Sequence, residues 1–225
     1  MTEVLPETDE GQIAWEALEQ TLEADADVIA MGPGLGRAPA TMALVQAGVE
    51  RAGVPMVLDA DALFAVVGDS DRLVGRDGAD SIITPHAGEM ARLTGLTVEA
   101  VQATRVEVAR TFAITHRVFV ILKGHCTVVA TWEGKADINL TGNPGMASGG
   151  TGHVLTGTVA AWFGQWLDAE AAAQLGVCLH GLAGDRAAVD EGETAMVAGD
   201  ILDRLGDAVL ELTATRRRKP EEAQE

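Results

Sequence analysis

With 225 residues, 47% of them apolar, the chain is long enough to bury the core of one large domain, and a formal charge of −18 argues against a nucleic-acid partner, whose phosphates are held by clustered Lys and Arg. No window approaches the roughly 18 uninterrupted apolar residues of a membrane span. The acidic start, residues 1–11, lacks the basic and apolar regions of a secretory signal, so a cytoplasmic protein with no membrane partner is expected.

In chain order, residues 1–25 form an acidic, weakly patterned segment in which Ile13-Ala14-Trp15 and Ala17-Leu18 predict one short amphipathic helix. Order is expected to begin at residues 27–31 (DVIAM), a buried strand, followed by a tight loop over 32–36 and a helix over 38–51. A strand over 54–58 and a helix over 61–67 come next. Strand 81–84, helix 88–93, one long helix over 98–115 and strand 118–122 continue the alternation, which implies a largely parallel sheet covered on both faces. Residues 127–132 and 135–140 flank Glu133-Gly134 as a hairpin, and three helices follow over 154–166, 169–189 and 197–214. The charged tail 216–225 has the composition of a disordered segment, and the ordered domain is expected to span 26–215.

The richest segment is GNPGMASGGTGHVLTG, residues 142–157. Glycines at this density let backbone amides approach an anion without obstruction by Cβ, and a helix beginning near Thr151 points its unpaired N–H groups at the same spot. Gly149, Gly150, Thr151 and Gly152 are therefore expected to hold nucleotide phosphates; the alternative is a Gly-rich turn that only packs closely. No Gly-Lys-Ser/Thr closes the segment, so it is not a Walker A loop. The GPGLG loop at 32–36 follows a strand and opens a helix, but Pro33 breaks the dinucleotide-fingerprint spacing.

Three further groups lie at predicted strand ends, the edge where open α/β sheets bind ligands. Asp59 and Asp61 could bind a metal or sugar hydroxyls, or Asp61 could cap the next helix. His86 and Glu89 lie in TPHAGE, where Glu89 could instead serve the helix dipole. Lys123 could meet a phosphate, although a lone strand-end Lys is more often a solvated charge. His116 and His180 have no carboxylate or cysteine at useful spacing and are read as structural. Cys126 and Cys178 lack ligand spacing and are read as buried apolar fillers. Strong acidity with only three lysines points to a proteome adapted to high salt.

Taken in order, GPGLG (32–36), DADAL (59–63), TPHAGE (84–89), LKGHCT (122–127) and GNPGMASGGTG (142–152) resemble the ADP- or ATP-dependent NAD(P)H-hydrate dehydratases of the ribokinase-like superfamily, over residues 26–186. The resemblance implies a three-layer ribokinase-like α/β fold with a C-terminal β-hairpin. It implies an enzyme that dehydrates hydrated NADH or NADPH to the normal cofactor while ADP is converted to AMP, with Mg²⁺ at the phosphates, and a homo-oligomer is expected. Carried over by position, Gly34, Gly36, His86 and His153 would contact the hydrated dinucleotide. Lys123, Gly124, His125, Cys126, Thr127 and the 149–152 loop would surround the adenine nucleotide, and Asn143 and Glu89 would lie near phosphates and metal. A vitamin-precursor kinase of the same superfamily and a noncatalytic nucleotide-binding paralogue are the alternatives.

The chain departs from the family pattern twice. The family motif ends Gly-Thr-Gly-Asp, with the Asp assigned as the base that activates the substrate hydroxyl, and here the fourth residue is His153. An imidazole can accept a proton near neutral pH but cannot supply the carboxylate's negative charge. Impaired dehydration with nucleotide binding retained is one expectation, a working His base the other. Family members also carry a segment before the GPGLG loop, so the domain is expected to lack its first strands.

Overall fold

The computed structural model describes residues 2–75, 78–166 and 168–217. Six strands form one sheet in the order in which they occur in the chain: β1 (Ile29–Met31), β2 (Met56–Leu58), β3 (Ser81–Ile83), β4 (Phe119–Leu122), β5 (Val128–Ala130) and β6 (Ala136–Ile138). The first four are parallel, and β5 and β6 add antiparallel to β4 as a hairpin. The hairpin is thus C-terminal within the sheet but not within the chain, because three long helices follow it.

Sequential parallel strands with right-handed crossovers place every connecting helix on one face of the sheet. Those helices are α2 (Pro39–Arg51), α3 (Asp61–Ala65), α4 (Ala87–Thr94), α5 (Val98–Ala103) and α6 (Arg105–His116). The other face is covered by α7 (Thr151–Trp166) and α8 (Ala169–Glu191), with α9 (Ala198–Arg217) packed outside α8. Alternation along the strands divides the core accordingly. Met56, Leu58, Ile83, Val120 and Leu122 face the crossover helices, while Val57, Ile82, Phe119 and Ile121 face Leu155, Val159 and Phe163 of α7. A fully buried Leu, Ile or Phe stabilises the fold by about 1.5–3 kcal/mol, so both faces contribute strongly.

The structure differs from the sequence expectations in several places. Helix 98–115 is two helices, broken at Thr104, whose φ of −136° and ψ of 46° are not helical. The break turns Arg105 back toward the sheet, where its Nη2 donates to the carbonyl of Leu122 at 2.8 Å. Order begins before residue 27: α1 (Ala17–Leu22) buries Ala17 and Leu18 against Leu44 of α2. The last helix runs to Arg217, so the expected tail 216–225 starts inside α9 and its remainder lies outside the described residues. Among the described residues, no helix is long and apolar enough to cross a membrane.

Candidate nucleotide site at the carboxyl edge of the sheet

The parallel strands end at a common edge, and the motifs sit there. β1 runs into the GPGLG loop, where Gly32 has a φ of +136° and a Cβ would fall 1.7 Å from the carbonyl oxygen of Asp59. Only glycine allows this loop to lie against the end of β2. Asp61 is not a capping residue: its carboxylate accepts from the Gly36 N–H at 3.0 Å and pairs with Arg37 at 2.7 Å, tying the GPGLG loop to the DADAL turn. Between the two aspartates, Ala60 holds a φ of 49° and ψ of −114°, a conformation that L-residues adopt only under constraint.

Asp59 itself is buried, 1% exposed, and its Oδ1 lies 2.6 Å from the Nζ of Lys123. Its Oδ2 accepts from the Thr156 hydroxyl of α7 at 2.9 Å. Lys123 is therefore not a solvated strand-end charge but the half-buried partner of a buried carboxylate. Next to it, His86 caps α4: its Nδ1 accepts from the N–H groups of Gly88 and Glu89, and Glu89 Oε2 accepts from the His86 N–H at 2.8 Å. A parallel bridge between His86 and Lys123 sets these two side by side, and Glu89 Oε2 lies 3.9 Å from Lys123 Nζ.

Beyond β4 the chain turns through Gly124 and Cys126, which has a φ of 55°. Gly124 is required by its backbone, whose φ is +145°, and a Cβ there would also crowd the Arg105 guanidinium at 3.0 Å. Burial pushes the Arg105 pKa below its ordinary value, and the side chain buttresses the turn through the Leu122 carbonyl. On the opposite wall, Asn143 shapes the glycine loop: its Nδ2 donates to Gly184 O and Asp185 Oδ1, and its Oδ1 accepts from the Gly145 N–H.

Together these walls enclose a cavity of about 730 Å³, within the ordinary range for a small-molecule site. Lys123, Gly124, His125, Cys126, Thr127, Asn143, Thr151, Gly152 and His86 line it, whereas Gly149 and Gly150 do not. At its base α7 begins. His153 and Val154 donate to the Gly150 carbonyl, but the N–H groups of Thr151 and Gly152 donate to no protein acceptor among the described residues. The buried hydroxyl of Ser148, which also lines the cavity, has no hydrogen-bond partner either. Unengaged donors lining a cavity beside a lysine are the arrangement an anion completes. A family model for NAD(P)H-hydrate dehydratase matches residues 3–206.

The chain belongs to the NAD(P)H-hydrate dehydratase family.

A bifunctional NAD(P)H-hydrate repair enzyme of Moorella thermoacetica is 49% identical over 207 residues, which are 91% of this chain and 39% of that protein. The chain thus spans about two fifths of the length of the curated relatives it matches first. An ADP/ATP-dependent NAD(P)H-hydrate dehydratase of Bacillus subtilis, co-crystallised with ATP/Mg²⁺ and soaked with CoA, superposes with a TM-score of 0.76 at 31% identity, covering 87% of this chain and 72% of that one. A ribokinase-like superfamily protein of Enterococcus faecalis superposes at 0.68 with 26% identity, over 88% and 66% of the two chains. The fold of this dehydratase-family domain is ribokinase-like.

Of the residues that resemblance assigned to the dinucleotide, only His86 lines the cavity; Gly34, Gly36 and His153 lie outside its lining, and His153 is exposed on the first turn of α7. The cysteines are half-buried rather than core fillers, and Cys126 borders the cavity. Burial raises the Cys178 thiol pKa. Sequence reasoning missed the cavity roles of Ser148 and His180 and the role of Thr156, a helical turn after Gly152 on α7. Spacing could have pointed to Thr156, since residues four apart share a helix face.

Proposed function

We propose that this domain binds an adenine nucleotide in the cavity and uses its terminal phosphoryl group to dehydrate hydrated NADH or NADPH, ADP leaving as AMP. The observation that carries this reading is the convergence of Lys123, the 124–127 turn and the unengaged N–H groups of Thr151 and Gly152 on one cavity, in a chain of this family. Hydroxide is a poor leaving group. As the terminal P–O bond of the nucleotide breaks, the substrate hydroxyl gives up its proton to a base and becomes a phosphate ester; phosphate then departs as the adjacent ring carbon loses a proton and the ring double bond re-forms.

The residues divide the work by charge. The Thr151 and Gly152 amides and the Lys123 ammonium are positioned to stabilise negative charge on the transferring group, where phosphoryl transfer needs help. Gly34, Gly36, His86 and His153 form the proposed dinucleotide side, outside or at the rim of the nucleotide cavity. Mg²⁺ typically binds through phosphate oxygens, waters and one or two carboxylates. The described residues hold no cluster of three or more His, Cys, Asp or Glu able to cage a metal, which fits an ion carried by the nucleotide. Glu89, beside Lys123, is the carboxylate we assign to its vicinity, and Asn143 acts there through the loop it braces. When bound, the ion would neutralise charge on the phosphates.

The exposed position of His153 favours a second reading, a noncatalytic nucleotide-binding paralogue. One assay separates the possibilities: the protein is incubated in high salt with hydrated NADH and either ADP or ATP, and NADH, AMP and phosphate are measured. NADH formation matched by nucleotide cleavage is expected. A stable phosphorylated product would replace the reading by a kinase, and nucleotide binding with no turnover would select the paralogue.

A further inference from the structure

His180 belongs to none of the five motifs, yet it lines the cavity while being 9% exposed. It lies on α8, 29 residues from Thr151, and its Nε2 is 2.9 Å from the Thr151 carbonyl oxygen. A carbonyl can only accept, so Nε2 carries the ring proton and the tautomer is fixed. Burial keeps the ring neutral, and the positive charge of Lys123 acts in the same direction.

The same stretch of α8 seats the whole glycine loop. A Cβ at Gly181 would meet the Thr141 hydroxyl at 2.0 Å, and one at Gly184 the Met146 sulfur at 2.3 Å. Asp185 accepts from the Gly142 N–H at 2.9 Å and from Asn143 Nδ2 at 3.1 Å. His180 is the member of this stretch that reaches the start of α7. The peptide between Thr151 and Gly152 is planar, with its C=O and N–H pointing in opposite directions. A donor fixed on the carbonyl therefore sets where the Gly152 N–H points and, by polarising the unit, strengthens that N–H as a donor.

We propose that His180 is a positioning residue of the nucleotide site, which aims the Gly152 N–H into the cavity by holding the Thr151 carbonyl. This deepens the nucleotide-site reading above and rests on it. A histidine that merely filled space would be replaced without loss by an apolar residue of similar volume. A positioning histidine requires its N–H.

The test measures ADP and ATP dissociation constants by calorimetry on the full chain and on the variants His180→Leu and His180→Gln, with thermal unfolding of each recorded without ligand. Leucine removes the donor, whereas glutamine carries an amide N–H of similar reach. His180→Leu is expected to weaken nucleotide binding about tenfold or more, and His180→Gln to restore it to within about threefold of wild type. Binding by folded His180→Leu within about twofold of wild type overturns the proposal. If the leucine variant does not fold, a tenfold loss in folded His180→Gln overturns it. Failure of the wild-type chain to bind either nucleotide is a different result, which sinks the cavity assignment itself.

Discussion

Asp59 and Lys123, 64 residues apart, form an ion pair of 2.6 Å at the carboxyl edge of the sheet, with the carboxylate 1% exposed and also bonded to Thr156. This pair links the end of β2, the end of β4 and the first turns of α7.

A buried ion pair is costly to break from one side, because the remaining charge is left without a partner. Lys123→Met is expected to destabilise the protein by about 3–5 kcal/mol in urea unfolding. The double variant Asp59→Asn/Lys123→Met is expected to recover most of that stability yet still bind ADP poorly, because the proposed phosphate site has lost its cation. An unchanged unfolding midpoint in Lys123→Met would show that the pair contributes nothing to the fold.

Gly152 tests the anion site with little disturbance elsewhere. A Cβ there would stand 3.3 Å from Lys123 Nζ, in the space the nucleotide phosphate is proposed to take. Alanine is favoured over glycine in a helix by about 0.5–1 kcal/mol, so Gly152→Ala should keep or raise the melting temperature while weakening ADP binding about tenfold or more. Undiminished nucleotide affinity would remove the phosphate from this position.

His153 stands where the motif resemblance would place an aspartate. A carboxylate introduced by His153→Asp is expected to raise turnover of hydrated NADH while leaving the ADP dissociation constant within about twofold, since His153 does not line the cavity proposed for the nucleotide. Equal turnover of the two proteins would show that the imidazole is an adequate base.

Burial lowers the His180 pKa from the ordinary 6.5 to about 4 in the folded protein. Between those values the unfolded chain binds a proton that the folded chain does not, so stability is full above pH 6.5 and falls as pH drops toward 4. The loss at the lower end is on the order of 3 kcal/mol. His116, packed on Phe112 and also shifted down by burial, adds in the same direction. Melting temperature against pH should therefore be shallower for His180→Gln than for wild type, and parallel curves would refute the assignment.

The motifs were legible because each is a local necessity. The β-α alternation follows from apolar runs separated by turn residues, and the Gly32 and Gly124 turns follow from positive φ values, +136° and +145°, that glycine adopts without a steric cost. The glycine loop announced its helix start through the Thr151-Gly152 sequence, and the structure leaves those amides unengaged. The ion pair was not legible: Lys123 looks like any strand-end lysine until the order of β2, β3 and β4 brings it over Asp59. The break at Thr104 was hidden as well. Its neighbours favour a continuous helix, and what interrupts it coincides with a tertiary bond, Arg105 reaching the Leu122 carbonyl.

By itself, then, the amino-acid sequence determined which strand ends would border the candidate site and which family the motifs resemble, because these depend on backbone freedom and residue spacing over a few positions. Only the tertiary structure decided that His180 faces the cavity, that His153 stands outside its lining, and that Asp59 holds Lys123. Those relationships join residues 29 and 64 positions apart, and such distances close only when strand order and helix packing are fixed together.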